Sequence, residues 1–360
     1  VWLDVPLDIQ SRIIKFNKII KFKKKKKKIK KSKINFNIIQ KLIERSSRPI
    51  IVVGNGIHIS KSEKAFKDFV NFTKIPVISS WNASDVINTS NKLYAGRMGI
   101  FGDRCANFSI ENSDLIIVLG SRLSIPQTGY KTKKFAEYSK KIIVDIDKNE
   151  LNRKNLSNVV AKYNIDLKDF ITEARKKLKI NGKNFIEWVN LINEWKHKYP
   201  VMISGYTSEK KNINSFHFID TLSRCLKGNE TIVTDMGTSF TCTMQAFKIK
   251  NDNKQRLFTS SGLAAMGFGL PGSIGAFMAN KKDPNICITG DGGLMFNLQE
   301  LQTVTSYKIP LKIFVIENKG YLTMKLMQVK NFSRLVGSNE KSGLSLPNFK
   351  SVAKSFNLKY

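Results

Sequence analysis

Hydrophobic positions along most of the chain fall into short apolar runs that alternate with longer amphipathic segments. RPIIVV at 48–53, DLIIVLG at 114–120 and KKIIVD at 140–145 are dominated by aliphatic residues and have the length of buried strands. The segment SEKAFKDFVNFTK at 62–74 instead repeats its apolar residues at helical spacing. Strands that alternate with amphipathic helices predict a parallel sheet with helices on both faces.

The same alternation begins again in the second half of the chain. A helical segment at 215–227 precedes the strand-like run TIVTDMG at 231–237. Further strand-like runs follow at 257–262, 285–290 and 311–318. We therefore predict an α/β fold with two successive doubly wound parallel-sheet domains, truncated at both ends of the chain.

Changes in this pattern define the expected domain boundaries. We assign residues 1–10 to one short strand that ends a missing domain, 11–46 to a Lys-rich linker, 47–175 to the central domain, 176–210 to a connecting helix that carries Trp188 and Trp195, and 211–360 to a second, C-terminally incomplete domain.

The net charge of +33 is unusual for a chain of 360 residues. Part of it is concentrated in KFKKKKKKIKKSK at 21–33, which is typical of a nucleic-acid or anionic-membrane patch or of a solvated linker. No arginine or regular aromatic spacing supports base recognition, so we favour the linker and expect no nucleic-acid partner. The uncharged segment at 262–279 reaches the length of a membrane span, but its internal glycines and Pro271 favour a buried turn and helix. We therefore expect no membrane partner.

The cysteines and histidines give no metal signature. The four cysteines form neither a CxxC pair nor a metal-ligand spacing, which suits a reducing compartment, and we expect a cytoplasmic protein. The three histidines, His58, His197 and His217, are isolated in the sequence, and we interpret them as structural.

Two predicted strands of the second domain end on residues with oxygen-bearing side chains. NICITG is followed by Asp291, Gly292 and Gly293, and LKIFVIEN ends at Asn318 after an intervening helical segment. In a right-handed βαβ unit the two strands are parallel, and their carboxyl ends lie on the same edge of the sheet, where ligands bind. We therefore expect Asp291 and Asn318 to lie close together.

The chemistry of these residues predicts a metal-bridged diphosphate. A carboxylate, an amide oxygen and a backbone carbonyl just after Asn318 suit Mg²⁺, which usually completes its shell with phosphate oxygens and water. The glycines around Asp291 allow close approach of a phosphate, and the N-terminus of a following helix favours its negative charge.

The combination of GDGG at 290–293 with Asn318 and Gly320 resembles the fingerprint of the thiamine-diphosphate-dependent enzymes. The segment TSSGLAAMGFGLPGSIGA at 259–276 and the strands of the central domain extend the resemblance toward the acetolactate synthase large subunit group. The resemblance implies that the first sheet belongs to a central Rossmann-like domain and the second to a thiamine-diphosphate- and Mg²⁺-binding domain. Residues 1–10 would then end a pyrimidine-binding domain.

The resemblance also implies which residues hold the cofactor. The metal ligands would be Asp291, Asn318 and Gly320, whereas Glu317 beside them is not counted as a ligand. The cofactor contacts would be Gly237, Thr238, Ser239, Met266, Gly290, Gly292, Gly293 and Tyr321. Met266 would hold thiamine diphosphate in its bent form, and the alternative is that Met266 is a core residue.

Catalysis in the resembled group requires a glutamate of the pyrimidine-binding domain, which would lie upstream of this chain. We therefore assign no catalytic residue here and expect the isolated chain to be inactive. The group's active site forms between two subunits, which implies a homodimer or tetramer. FAD remains open, because Gly54 and Gly56 form a nucleotide-type turn but SRLSIPQTGY at 121–130 keeps only Arg122 and the pair 128–129 of the group's flavin-associated run.

The implied reaction is decarboxylation of a 2-oxo acid, expected to be pyruvate, followed by carboligation to acetolactate, as in branched-chain amino acid biosynthesis. KGYLTMKLMQ at 319–328 departs from the group, with Met327 where a tryptophan lines the acceptor pocket. Two alternatives therefore remain. One is another thiamine-diphosphate decarboxylase or acyltransferase that uses a different 2-oxo acid or a keto-sugar acceptor, and the other is a non-catalytic fragment or basic binding protein.

Overall fold

The computed structural model describes residues 3–18, 32–180, 185–208 and 212–360. The chain divides into two compact units, Val1–Lys30 and Lys31–Tyr360, and each is described by itself. The Lys run at 21–33, which the sequence assigns to the linker, lies almost entirely outside the described residues.

The strands and helices alternate along the second unit. The strands are β1 (Pro49–Val53), β2 (Val77–Ser79), β3 (Tyr94–Arg97), β4 (Leu115–Leu119), β5 (Lys140–Asp145), β6 (Val159–Asn164), β7 (Thr231–Thr234), β8 (Arg256–Phe258), β9 (Asn285–Gly290) and β10 (Leu311–Ile316). The helices, with α1 in the first unit, are α1 (Leu7–Gln10), α2 (Phe36–Arg45), α3 (Gly56–Ile59), α4 (Glu63–Thr73), α5 (Arg104–Glu111), α6 (Ile125–Thr128), α7 (Lys148–Asn152), α8 (Leu167–Lys177), α9 (Ile186–Lys198), α10 (Ser215–Cys225), α11 (Thr238–Ala246), α12 (Gly269–Ala279), α13 (Asp291–Leu294), α14 (Glu300–Ser306), α15 (Leu322–Phe332) and α16 (Phe349–Ser355). Short 3-10 turns lie at Phe16–Lys18, Trp81–Ala83, Thr132–Lys134, Ser204–Tyr206, Ser261–Leu263, Met295–Asn297 and Glu340–Ser342.

The first sheet has the strand order β3-β2-β1-β4-β5-β6 within the described residues, and its paired strands are parallel. Every residue of β1 and β4 is buried, because helices cover both faces of a doubly wound sheet. The strand order reverses between β1 and β4, which is the arrangement expected of a Rossmann-like domain. The predicted α/β class is therefore confirmed for this domain.

The second sheet has the order β10-β9-β7-β8 in the described part of the chain and is also parallel. Strand β9 lies inside it, and its first five residues are buried. Its neighbour β10 pairs with it in register from Leu311 opposite Asn285 to Ile316 opposite Gly290. This register brings the carboxyl ends of β9 and β10 side by side.

Aromatic side chains join the cores of the two sheet domains. The ring of Trp81, which follows β2, meets the ring of Phe240 on α11 edge to face at 4.7 Å between centroids. Phe101 contacts the same Phe240 ring at 5.7 Å. Contacts of this geometry contribute beyond their buried area and fix the position of α11 against the first domain.

The helix predicted to connect the domains is α9, and it packs on the first domain. The indole Nε1 of Trp188 donates to the carbonyl oxygen of Pro49 at 3.1 Å. The rings of Trp188 and Trp195 meet edge to face at 5.8 Å. Residues 181–184 and 209–210 of the same predicted segment, and residue 211 of the next predicted domain, lie outside the described residues.

The strand predicted at residues 1–10 is wrong for the described residues 3–10. They contain the four-residue helix α1 and are exposed. A single extended segment without a partner strand leaves its backbone groups unpaired, whereas the turn at Leu7–Gln10 pairs some of them locally. Helix α2 lies within 11–46, the range predicted as linker, and buries Phe36, Ile39 and Ile43 in the core of the first sheet.

The uncharged segment at 262–279 forms the predicted turn and the eleven-residue helix α12. The prediction that the turn is buried is wrong, because residues 262–266 are exposed and α12 buries only Gly269, Leu270 and Ser273. In the part of the chain that the structure describes, none of the helices has both the length and the apolar character that a membrane crossing needs.

Candidate cofactor and metal site

Asp291 and Asn318 meet at the carboxyl ends of β9 and β10, so their predicted proximity is confirmed. The Oδ2 atom of Asp291 accepts a hydrogen bond from the backbone N–H of Asn318 at 2.9 Å. It also accepts from the backbone N–H of Gly320 at 3.2 Å, and Oδ1 accepts from the N–H of Gly292 at 2.7 Å. The buried carboxylate therefore fixes the loop after β10 against the end of β9.

The amide oxygen of Asn318 is the unsatisfied atom of this site. The amide nitrogen of Asn318 donates to Thr238 Oγ1 at 3.3 Å. The Oδ1 atom, in contrast, is buried and has no hydrogen-bond partner among the described residues. A buried acceptor without a donor is costly, and a bound cation would satisfy it. The residues at this position therefore fit a metal ion.

The donor set matches a hard cation with few protein ligands. It contains one carboxylate, one side-chain amide and the backbone carbonyl of Gly320, an oxygen set that suits Mg²⁺ and leaves room for phosphate oxygens and water. A cluster of three or more His, Cys, Asp or Glu side chains that could hold a metal does not occur among the described residues.

Three predicted glycines stand where a side chain would collide with neighbouring groups. A Cβ atom at Gly292 would lie 2.3 Å from the ring of Tyr321, and one at Gly293 would lie 2.5 Å from the carboxylate of Asp235. Gly320 has φ +140°, and its Cβ would lie 2.2 Å from the carbonyl oxygen of Ser338. These glycines are required by packing within the loop.

Gly290 and Gly237 have different surroundings, because a Cβ at either position would meet open space within 4 Å. Gly237 has φ +80° and precedes α11, whose first backbone N–H groups lack intrahelical partners. Thr238 begins this nine-residue helix beside Asn318. The longer helix that starts at the site is therefore α11, whereas α13 directly after Gly290 is a single turn of four residues.

Ser239 is placed differently from the other predicted contacts. Its side chain is buried, and its hydroxyl donates to the carbonyl oxygen of Met236 at 3.0 Å. The hydroxyl is therefore directed to the protein interior, and Ser239 has only its backbone N–H to offer at the start of α11.

Met266 is partly exposed, with 36% of its surface accessible, and it is not a member of the buried core. Both backbone polar groups of the next residue, Gly267, are hydrogen-bonded to side chains. Its N–H donates to Asp235 Oδ1 at 2.9 Å, and its carbonyl accepts from the amide of Asn297 at 2.8 Å. The interpretation of Met266 as a simple core residue is therefore wrong, because the turn that carries it holds it at the surface.

Asp235 is an important residue that the sequence reasoning missed. Its carboxylate accepts from Gly267 N–H and from Thr289 Oγ1 at 2.8 Å, and it packs against Gly293. Burial raises the pKa of Asp235, although the hydrogen bonds from Thr289 and the backbone oppose this change. Asp235 directly follows β7, so the same strand-end argument that identified Asp291 could have found it.

The nucleotide-type turn of the first domain gives no added support for FAD. A Cβ at Gly54 would lie 2.2 Å from the carbonyl oxygen of Gly120, and the N–H of Gly56 donates to that same oxygen at 3.1 Å. These glycines allow the loop after β1 to pack closely against the loop after β4. The guanidinium of Arg122 pairs with Glu150 at 2.7 Å and is mostly exposed.

His58, which is isolated in the sequence and predicted to be structural, belongs to a charged network in the structure. Its Nε2 atom lies 2.7 Å from Asp85 Oδ1, and its Nδ1 atom lies 2.9 Å from Glu63 Oε1. Asp85 also accepts from Arg256 Nε at 2.7 Å. This network joins the first domain to the start of β8, and the sequence could not show it because its members are distant along the chain.

Comparisons with known proteins agree with this geometry. A family model of the thiamine pyrophosphate enzyme central domain matches residues 36–173. A second model, of the C-terminal TPP binding domain of the same enzymes, matches residues 235–360. The second match contains Asp291 and Asn318.

The similar curated proteins are large subunits of acetolactate synthase. The protein of Cyanidium caldarium is 32% identical over 324 residues, which are 89% of this chain and 54% of the relative. The protein of Pyropia yezoensis is 31% identical over 323 residues, which are 89% of this chain and 53% of the relative. The isozyme 1 large subunit of Escherichia coli K12 is 27% identical over 320 residues, covering 89% and 55%.

The chain spans about half the length of the curated relatives it matches. The two family models fall on the two sheet domains and between them cover most of the chain. The chain therefore belongs to the family of thiamine pyrophosphate enzymes.

Proposed function

We propose that this chain supplies the diphosphate- and Mg²⁺-binding part of an enzyme that acts on 2-oxo acids. The observation that carries the proposal is the buried, unpartnered Oδ1 of Asn318 beside the carboxylate of Asp291. No described protein group satisfies that oxygen, and a divalent cation would. The family membership identifies the group that such a cation would bridge.

The residues of the chain divide the work of binding. Asp291, Asn318 Oδ1 and the carbonyl of Gly320 would hold Mg²⁺, and the N-terminus of α11 at Thr238 would face the diphosphate. The open space beside Gly290 and Gly237 leaves room for phosphate oxygens. Thiamine diphosphate, when bound, supplies a nucleophilic carbon and an electron sink for decarboxylation.

The protein residues orient the cofactor and do not transfer protons in this part of the site. Asp235 holds the turn of Gly267 and thereby positions Met266 at the surface beside the site. Its carboxylate is occupied by the N–H groups of Met236 and Gly267 and by the Thr289 hydroxyl. Asp235 is therefore a positioning residue, and the proton transfers are proposed to depend on a glutamate of a pyrimidine-binding domain.

We further propose that the complete enzyme decarboxylates pyruvate and joins the product to a second pyruvate, giving acetolactate. The similarity to acetolactate synthase large subunits supports this choice. Met327 is exposed on α15 in the segment that departs from the group, which favours a different acceptor as the second candidate. The site is proposed to be completed by a second subunit, and the free cysteines of the described chain suit a reducing compartment.

Isothermal titration calorimetry of the full chain tests the proposed site. Thiamine diphosphate should bind only when Mg²⁺ is present, and Asn318→Ala should weaken this binding at least about tenfold, since it removes one metal ligand. Asn331→Ala, an exposed asparagine on α15, is the matched control and should bind like the unaltered chain. Equal binding by the Asn318→Ala variant, or binding that does not depend on Mg²⁺, would contradict the proposal.

A further inference from the structure

A cavity lies away from the candidate metal site. It has a volume of about 220 Å³ and opens between strand β3, the end of α9 and the segment that follows α11. Phe247, at the C-terminal end of α11, lines this cavity, whereas Thr238 at the other end of the helix faces Asn318. The length of the helix separates Thr238 from Phe247 by roughly 14 Å.

A buried cation faces this cavity with unused donors. Arg97 on β3 is only 2% exposed, and its Nη2 atom donates to the carbonyl oxygen of Phe247 at 2.6 Å. Its Nε atom is buried and has no partner among the described residues. A guanidinium has five N–H donors in a planar fork, so the single contact with the end of α11 leaves most of them free to bind an anion.

A second cation lines the same cavity. Lys196 donates from Nζ to the carbonyl oxygen of Tyr94 at 2.7 Å, which uses one of its three donors. Burial lowers the pKa of Lys196, with Cys105 and Asp103 opposing the change. An ammonium whose charged form is disfavoured by burial gains from a bound anion.

The cavity contains one carboxylate, which does not neutralise both cations. Asp103 accepts a hydrogen bond from the backbone N–H of Arg97 at 2.7 Å, and burial raises the pKa of Asp103 despite the charge of Arg97. Lys248 also lines the cavity but pairs with Asp220 at 2.6 Å. The cluster of Arg97, Lys196 and Asp103 therefore retains a net positive charge.

The remaining wall is mostly apolar and includes Val201, Met202 and Phe247. We propose that this cavity binds a small organic carboxylate, with the acid group at Arg97 and Lys196 and the apolar part against Val201 and Phe247. A highly charged phosphate fits less well, because apolar side chains would desolvate it and Asp103 would repel it. The site is independent of thiamine diphosphate, so the inference does not rest on the proposed function.

The experiment is a titration of the full chain, without thiamine diphosphate, by four acids: acetate, butyrate, benzoate and glutarate. Each acid is compared with its neutral amide by ligand-observed NMR and calorimetry. At least one acid should bind with saturation and at least about tenfold more tightly than its amide, since the charge-assisted hydrogen bonds are lost in the amide. Failure of all four acids to bind, or equal binding by acid and amide, would overturn the proposal.

Three variants locate the binding. Lys196→Gln removes the partly buried cation, and Arg97→Lys keeps the charge but loses the planar fork, so each should weaken the acid about tenfold. Lys92→Gln removes the same positive charge from an exposed lysine just before β3, and it should leave binding unchanged. If the Arg97→Lys variant fails to fold, the affinity of the Lys196→Gln variant alone tests whether the acid binds in this cavity. Unchanged affinity in Lys196→Gln, or the same loss in Lys92→Gln, contradicts the assigned site.

Discussion

Gly290 and Gly292 stand two positions apart in the same loop and meet different surroundings. A methyl group at Gly290 would enter open space beside the proposed ligands, whereas one at Gly292 would lie 2.3 Å from the ring of Tyr321. Alanine at the first position therefore tests the space for the cofactor, and alanine at the second tests the packing of the loop.

We expect Gly292→Ala to lower the free energy of unfolding by about 1–3 kcal/mol, because the Tyr321 ring must move. Gly290→Ala should change it by no more than about 0.5 kcal/mol, yet weaken the Mg²⁺-dependent binding of thiamine diphosphate. Denaturant unfolding and calorimetry on both variants measure the two effects. A stability loss in Gly290→Ala with full stability in Gly292→Ala would contradict this account of the loop.

The positions of residues at strand ends could be predicted from the sequence, whereas the contacts that these residues make with distant segments could not. Asp291 and Asn318 each follow an apolar run, so the rule for parallel strands brought them together correctly. The role of Asp235 depends on Gly267 and Thr289, which lie on two other segments. Such a convergence is a property of the tertiary fold and leaves no periodic signal in the sequence.

At the scale of the elements, the edge strands of the first sheet were harder to predict than the strands inside the sheets. Strands β1, β4 and β9 lie inside their sheets and are continuous apolar runs, so the sequence pattern identified them. Strands β3 and β6 are the edges of the first sheet and were missed. In β6 buried and exposed positions mix, because one side of an edge strand faces solvent, and the apolar run is interrupted.

Three elements are joined by a charged network whose stability depends on pH. His58 lies on α3, Asp85 follows β2, and Arg256 begins β8. Burial lowers the pKa of His58, but Asp85 and Glu63 outweigh this effect and raise it above 6.5. Burial raises the pKa of Asp85, but His58 and Arg256 outweigh it and hold the pKa of the carboxyl below its ordinary value.

The sign of the pH effect follows from these directions. Protonated His58 contributes its full stabilisation below about pH 6.5 and loses it as pH rises through the raised folded-state pKa, whereas Asp85 stays ionised over this range. The free energy of unfolding should therefore fall as the pH rises above about 6.5, and His58→Gln should flatten this fall. Denaturant unfolding at several pH values measures it, with the exposed His197→Gln as control. An unchanged slope in His58→Gln would exclude the network as its source.

At the scale of the whole molecule, the two sheet domains contain the residues that match the family models. The proposed active site also uses a glutamate of a pyrimidine-binding domain and a second subunit. The chain spans about half of its similar large subunits. Large apolar side chains are exposed on segments that adjoin the candidate site in the sequence: Leu263 and Phe296 in the turns before α12 and after α13, and Leu326 and Phe332 on α15. An exposed apolar surface of this kind is typical of a protein contact and supports the proposed completion of the site by another subunit.

The measurement that tests the central claim most directly is pulsed electron paramagnetic resonance on the full chain, with Mn²⁺ in place of Mg²⁺ and thiamine diphosphate added. The account predicts a protein-bound Mn²⁺ with hyperfine coupling to ³¹P, because Asp291, Asn318 and Gly320 would hold a metal that also binds the diphosphate. Asp291→Ala should abolish this coupled signal. A bound Mn²⁺ without ³¹P coupling, or a coupled signal that survives in Asp291→Ala, would contradict the assignment of the site.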